Sequence, residues 1–356
     1  MTVPFASGAR TAPYREIASP QRKYNPPVQT FDAFRIFNDE GKIHGSVVET
    51  TLDELDPGDV VIKAEYSSVN YKDALAATGT GKILRRFPLI GGIDVSGTVV
   101  SSADGRFREG DQVLVTGFDL GVAHDGGYAG YVRVPADWLV RVPDGLTLFE
   151  TMALGTAGFT AALSVVRLER NGLQPGKGPI AVTGATGGVG SIAVAALSRL
   201  GYEVTAITGK DDAHDYLRAL GARDVLSRTT LAMGTRPLEA ARWAGAVDAV
   251  GGDMLSWLTR TTNYWGGIAS TGLTGGIEIH TTVMPFILRG VSLIGIDSVM
   301  CPMNVRTEVW RRLATDMKPP HLPDIAREIT LSGLSEAFAT LIAGAARGRF
   351  VVNVRS

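Results

Sequence analysis

Two textures of apolar and polar positions divide the chain. From Phe31 onward, short β-rich stretches are punctuated by turn signals. Residues 59–66 (DVVIKAEY) follow the turn pair Pro57-Gly58, and residues 97–101, 112–116 and 130–134 are bounded by glycine or charge. With a helix over residues 70–78, this half predicts a compact, mostly antiparallel β domain. Pro143 to Gly145 closes it, and a helix follows over residues 147–170, carrying the small-residue stretch Gly155-Thr-Ala-Gly158. Beyond Pro179 the pattern changes to short, continuously apolar runs separated by helical spacing. Strands are expected at 180–183, 203–207, 224–226, 246–250, 267–271 and 292–296, with helices at 191–200 and 213–220 between the first of them. Alternation of this kind predicts a parallel, doubly wound sheet. The last segment, 305–356, reads as a helix, a Leu-rich helix near 335–346 and a final strand at 349–354.

At 356 residues the chain exceeds what one core usually organises, so two domains are expected. The division predicted is an irregular, proline-interrupted extension over 1–28, a β-rich domain over 29–152, a doubly wound domain over 153–300, and a C-terminal segment over 301–356. Lys+Arg 35 against Asp+Glu 36 leaves a net charge of -1, which argues against a basic nucleic-acid binder while leaving room for a local cationic pocket. One cysteine, Cys301, supplies neither an intrachain disulfide nor a Cys-rich zinc site. Apolar runs such as 180–182 and 193–197 are too short to cross a bilayer, and the N-terminus has no continuous apolar core of a signal peptide. The expectation is a cytoplasmic protein.

The most specific local feature is Ile180-Ala-Val-Thr-Gly-Ala-Thr-Gly-Gly-Val-Gly-Ser191. Gly184, Gly187 and Gly190 fall at G-x-x-G-x-x-G spacing between a strand and a helix, with Gly188 beside them. Glycines there let backbone amides approach a pyrophosphate without a β-carbon, and the helix N-terminus complements its charge. The next strand selects the nucleotide. An NAD site commonly ends this strand in Asp or Glu. Here it ends in Thr208, Gly209 and Lys210, with Arg228 after the following strand. A hydroxyl, an amide and two cations suit a 2′-phosphate, so NADPH is expected; Lys210 as a plain surface charge beside Asp211 and Asp212 is the alternative.

From about Phe31 to Ser356 the sequence resembles the medium-chain dehydrogenase/reductase superfamily, in its zinc-independent, quinone oxidoreductase-like division, and within it the NADPH-dependent acrylyl-CoA reductase group. The likeness is carried by Ser67-Ser-Val-Asn-Tyr-Lys-Asp-Ala-Leu75, Phe87-Pro-Leu-Ile-Gly-Gly-Ile-Asp-Val-Ser-Gly97, Leu154-Gly-Thr-Ala-Gly-Phe-Thr-Ala161, the glycine turn, Thr282-Val-Met-Pro-Phe-Ile-Leu-Arg-Gly290 and Gly295-Ile-Asp-Ser-Val-Met300. It implies a GroES-like β-rich catalytic domain, completed by the C-terminal segment, facing a Rossmann domain across a cofactor cleft. It also implies a homodimer joined along the edge strand near 292–296. The family pattern places Tyr71 near the nicotinamide, Thr186, Gly187, Gly188 and Val189 on the pyrophosphate, and Thr208, Gly209, Lys210 and Arg228 on the adenosine phosphate. Leu273, Ile287, Ser298 and Asn353 match cofactor-lining positions, although core packing would equally explain the first two and a capped strand end the last. Zinc members carry Gly-His-Glu where this chain has Gly92-Ile93-Asp94, and no pair of its five histidines has ligand spacing. No metal is expected.

Without a Lewis acid, reduction of an activated C=C bond is easier to accommodate than reduction of a plain ketone. The expected substrate is a short acyl-CoA ester, acrylyl-CoA going to propanoyl-CoA; a quinone or enone is the alternative, and a cofactor-binding protein without turnover the third reading. Tyr71 is the candidate proton donor, unless it only packs on the nicotinamide, and Asn70 would orient it or donate a bond itself. Lys82, Arg85 and Arg86 could grip the CoA phosphates, or simply keep a surface loop soluble.

Overall fold

A computed structural model describes residues 30–320 and 322–355. The extension expected over 1–28, and His321, lie outside the described residues. The chain first folds as the hairpin Thr30–Asp39 with Lys42–Thr51. Glu40 (φ 51°) and Gly41 (φ 94°) both take left-handed backbone there, as a two-residue hairpin turn that matches strand twist requires. Leu89–Ile90 adds a third strand to this small sheet.

The main sheet of the first lobe has seven strands. Ala326–Thr330, Arg349–Asn353, Val60–Val69, Asp94–Ser102, Gln112–Thr116 and Val140–Arg141 lie side by side in that order, and Tyr131–Val134 pairs with Val60–Val69. The C-terminal strand therefore closes on a strand nearly 300 residues earlier, Phe350 opposite Val69 and Asn353 opposite Tyr66. The strand Ala326–Thr330 was not expected from the sequence. Between the two returning strands the helix Leu334–Ile342 stops short of the expected 346, because Gly344 turns left-handed (φ 67°).

The second lobe is a six-stranded parallel sheet in the order Asp224–Ser227, Val204–Thr208, Ile180–Thr183, Trp243–Asp248, Thr262–Ser270, Ser292–Gly295. Numbered along the chain this is 3-2-1-4-5-6, the Rossmann order. Its central strands Ile180–Thr183, Val204–Thr208 and Trp243–Asp248 are buried at every position. That burial on both faces is why they read as unbroken apolar runs rather than alternating ones. Two helices of this lobe were missed in the sequence. Gly252–Thr261 starts on glycines, and Met284–Arg289 is only six residues long.

The helix Leu148–Arg170 joins the lobes. Thr147 caps it, accepting from the Glu150 amide at 3.1 Å while Glu150 accepts from the Thr147 amide at 2.9 Å. It is long and apolar enough to cross a bilayer, but it is buried inside the protein as a core helix. Its backbone breaks at Gly155 (φ 52°, ψ −157°). A β-carbon at Gly155 would lie 2.6 to 2.7 Å from the Ser68 hydroxyl, an Arg349 nitrogen and an Asp94 oxygen. The helix gives way where polar groups of the first lobe press into it. The helix Met303–Ala314 packs on the same side, Trp310 stacking 6.1 Å from Phe159, and Val309, Trp310 and Leu313 share one core with Ile180 and Val182.

Candidate active site

In open α/β sheets ligands bind where the strand order reverses, beyond the strands' carboxyl ends. Here that point lies between Ile180–Thr183 and Trp243–Asp248. The glycine turn leaves the first of these and opens the helix Gly188–Arg199, whose N-terminus has no side-chain cap. Its first amide donors are therefore available to an anion. A β-carbon at Gly190 would lie 2.4 Å from the Gly184 carbonyl oxygen, so the tight turn requires glycine there. At Gly187 only that same oxygen comes near, at 3.3 Å, leaving the approach to the backbone open. The turn fits a pyrophosphate. Across the switch point, buried Asp248 accepts from the Thr183 hydroxyl (2.6 Å) and the Gly251 amide (2.9 Å), with its pKa raised by burial.

The neighbouring strand ends with buried Thr208, whose hydroxyl accepts from the Lys210 amide at 3.1 Å. Arg228 donates its backbone N–H to the Thr208 carbonyl at 2.6 Å, and its guanidinium lies over Gly209, 3.1 Å from where a β-carbon would stand. The Lys210 ammonium is partly buried and donates to the carbonyl of Ala346; burial first and the neighbouring Arg347 second lower its pKa. No carboxylate replaces these groups at the strand end. The donor set fits a phosphate-bearing ribose.

The first lobe meets this cradle through a buried polar cluster. Asp94 is fully buried and accepts from the Ser68 hydroxyl (2.5 Å), the Asn70 amide (2.8 Å), the Thr156 backbone N–H (2.9 Å) and the Thr156 hydroxyl. Arg349, also buried, donates to the Asn70 side-chain Oδ1 (3.1 Å), the Val69 backbone carbonyl (3.0 Å) and the Ser68 hydroxyl (2.7 Å), and lies 3.9 Å from Asp94. Its stem packs against Gly188, where a β-carbon would come within 2.9 Å. Arg349 thus touches both the glycine turn and Asn70. Burial lowers its pKa, yet its Nε has no partner among the described residues.

Both ends of the Asn70 amide are therefore committed. Asn70 precedes the helix Tyr71–Thr78, and the Asp73 carboxylate accepts from the backbone N–H groups of Asn70 (2.8 Å) and Ile93 (3.1 Å). Burial, then repulsion from Asp94, pushes Asp73 up to about 7. Tyr71 at the head of this helix is 37% exposed. Tyr71 thus heads a helix whose start is fixed by the hydrogen bonds of Asn70 and Asp73.

The remaining candidates are dispersed. Ser298 offers its carbonyl to Arg306, a wholly buried guanidinium that also donates to Thr116 and Val299 and lies 4.5 Å from the Phe118 ring centroid. Leu273 and Ile287 are 55% and 72% exposed, so they are not core residues. Asn353 caps its strand end, donating to Glu328 (2.9 Å) and accepting from the Arg355 N–H (3.1 Å). Arg86 is engaged by Asp56 and Asp125, and Arg85 pairs with Asp119 at 3.2 Å, while Lys82 is exposed. Among the described residues no three His, Cys, Asp or Glu side chains converge as a metal set. Sequence reasoning missed Arg347 and Arg349. The one available signal was a pair of arginines opening an otherwise apolar final strand.

A Rossmann sheet with a glycine-rich turn at its switch point, meeting a GroES-like lobe in which Tyr71 heads a helix, defines a two-lobed nucleotide-dependent oxidoreductase. Residues 56–144 match the alcohol dehydrogenase GroES-like domain, and residues 188–315 match the zinc-binding dehydrogenase domain. The chain is 51% identical over 318 residues to the putative quinone oxidoreductase YhfP of Bacillus subtilis (89% of this chain, 96% of that protein). It is 46% identical over 329 residues to the acrylyl-CoA reductase AcuI of Ruegeria pomeroyi (92% and 100%). It also superimposes on the yhdH oxidoreductase of Salmonella enterica in complex with NADP, with a TM-score of 0.89 at 47% identity, covering 90% of this chain and 99% of that one. The B. subtilis yhfP structure, with NAD bound, gives a TM-score of 0.89 at 49% identity, covering 91% and 99%. The chain belongs to the medium-chain dehydrogenase/reductase family, in its zinc-independent, quinone oxidoreductase-like division.

Proposed function

We propose that this chain uses NADPH to reduce the activated C=C bond of a short 2-enoyl-CoA, with acrylyl-CoA to propanoyl-CoA as the leading case. The observation that carries the nucleotide choice is the cationic strand end at Thr208, Gly209, Lys210 and Arg228, where an NAD site commonly places an acid. Full-length likeness to AcuI, an acrylyl-CoA reductase, supports the substrate class.

When bound, NADPH supplies a hydride for the β-carbon. The chain's part is alignment and charge. Amides of Thr186, Gly187, Gly188 and Val189 receive the pyrophosphate, and Lys210 and Arg228 the 2′-phosphate. Tyr71 donates a hydrogen bond, and in the fuller form of the reading a proton, on the substrate side. Asn70, tied at both amide ends, fixes the start of the Tyr71 helix rather than meeting substrate. Lys82, and Arg85 through its exposed pair with Asp119, are the cations that would meet CoA phosphates, since Arg86 is engaged by two carboxylates. The edge strand Ser292–Gly295, with Leu293, Ile287 and Trp265 exposed nearby in sequence and sheet, supports a homodimer formed by sheet extension. The reading assumes the cytoplasm, where NADPH is available as reductant.

A second reading, reduction of a quinone or enone, is favoured by the name carried by YhfP. Parallel assays with acrylyl-CoA, crotonyl-CoA and a small quinone separate them, with NADPH and NADH compared in each. Acrylyl-CoA should give a kcat/KM at least about tenfold above the quinone, and Tyr71→Phe should lower kcat by about tenfold or more. Faster quinone turnover would establish the second reading; unchanged kcat in Tyr71→Phe would remove the proton-donor role.

A further inference from the structure

The loop between the helix Leu334–Ile342 and the strand Arg349–Asn353 belongs to the C-terminal segment, yet it lies against the nucleotide cradle at three points. The Gly348 N–H donates to the carbonyl of Thr186 at 3.0 Å. The carbonyl of Ala346 accepts from the Lys210 ammonium. Arg347 donates to Asp212 at 3.0 Å, and its guanidinium lies 5.5 Å from the ring centroid of Tyr216. The conformation is built in: Gly348 is left-handed (φ 64°), and a β-carbon there would lie 2.1 Å from the Ile325 carbonyl oxygen.

Three cations, Lys210, Arg228 and Arg347, are thereby gathered at one strand end in a protein of net charge -1. Among the described residues they have one carboxylate partner between them, Asp212, whose side chain is 78% exposed. So exposed and solvent-screened a pair holds Arg347 weakly and leaves it able to turn to a stronger anion. A phosphomonoester carries a charge of about −1.5 to −2 at neutral pH and matches the guanidinium fork.

We infer that Arg347 is a specificity residue of the nucleotide site, a third cation for the 2′-phosphate reached across from the C-terminal segment and poised on Asp212. The inference rests on the NADPH reading above. It explains why the Lys210 ammonium points at the Ala346 carbonyl, since that bond docks the arginine's loop.

The test is binding, not turnover. Dissociation constants for NADPH and NADH, and for adenosine 2′,5′-bisphosphate and 5′-AMP, are measured by calorimetry on the full chain, for wild type, Arg347→Ala and Arg347→Glu. Arg347→Ala should weaken NADPH and the bisphosphate about five- to tenfold while changing NADH and AMP less than about twofold, and Arg347→Glu should weaken the phosphate-bearing pair further. Equal weakening of all four would mark simple damage to the loop and overturn the inference, as would a glutamate effect no larger than alanine's. A wild type preferring NADPH, with that preference undiminished in Arg347→Ala, overturns the inference and leaves the cofactor reading standing. A wild type binding NADH as tightly as NADPH overturns both.

Discussion

The charges around Asn70 and those beyond the strand Val204–Thr208 are joined by four residues, 346–349, yet they are built on opposite terms. Arg349 and Asp94 are almost wholly out of solvent, and seven hydrogen bonds to Ser68, Val69, Asn70 and Thr156 fix them beside their own 3.9 Å ion pair. Arg347, two residues away, keeps 43% of its side chain in water and has one exposed acid for company. Charge locked inside is committed to shape. Charge left at the rim, with weak partners, is free to answer a ligand. Only the second kind should respond to which nucleotide is offered.

Stability measurements can break this contrast. Arg349→Met strands Asp94 without its cation and should cost about 3–5 kcal/mol by chemical denaturation, whereas Arg347→Ala should cost less than about 1 kcal/mol. Comparable losses from the two would erase the distinction.

Asp73 sharpens it further. The folded state raises this carboxyl from 3.8 to about 7, so it binds the proton more tightly than the unfolded chain does. The stabilisation from the protonated form is complete below about pH 4 and is lost as pH rises through about 7. Asp73→Asn removes that dependence while leaving one of the two backbone N–H groups without an acceptor, a fixed cost of about 1–3 kcal/mol. The variant should therefore be the less stable protein near pH 4.5, and its deficit should shrink by about 2–4 kcal/mol, or invert, near pH 8. A deficit equal at both values would mean that Asp73 is ionised throughout.

The smallest expected effect lies on the surface. Charge reversal at Lys82 and Arg85 should leave stability within about 1 kcal/mol of wild type, because both side chains are exposed. It should raise KM for CoA esters about threefold or more without changing KM for a small quinone. An unchanged KM for CoA esters, or an equal fold-change for both substrates, would free this loop of any part in CoA binding.

How much of this was legible in the sequence follows from distance along the chain. The glycine turn and the strand end at Thr208 to Lys210 were readable because each is local: a strand, its turn and its helix are consecutive residues. The Rossmann strands were found to within a few residues because burial on both faces leaves few polar positions to confuse the period. The broken helix at Gly155 was not legible, since its cause is Ser68, Asp94 and Arg349 arriving from elsewhere. Arg347 and Arg349 were missed for the same reason. Their roles exist only once Arg349–Asn353 has paired with Val60–Val69, and nothing local in the last segment announces that partner. The helix Gly252–Thr261 escaped because it begins on two left-handed glycines, which ordinarily signal a loop.

The loop that seats Gly348 on Thr186 has a consequence for biosynthesis. A ribosome that has delivered residues 30–340 has already made every glycine of the turn, yet that nascent protein lacks the wall formed by Ala346, Arg347 and Arg349. The wall beside the glycine turn is therefore completed only after residues 346–349 have been made and have docked, well over a hundred residues after the turn itself.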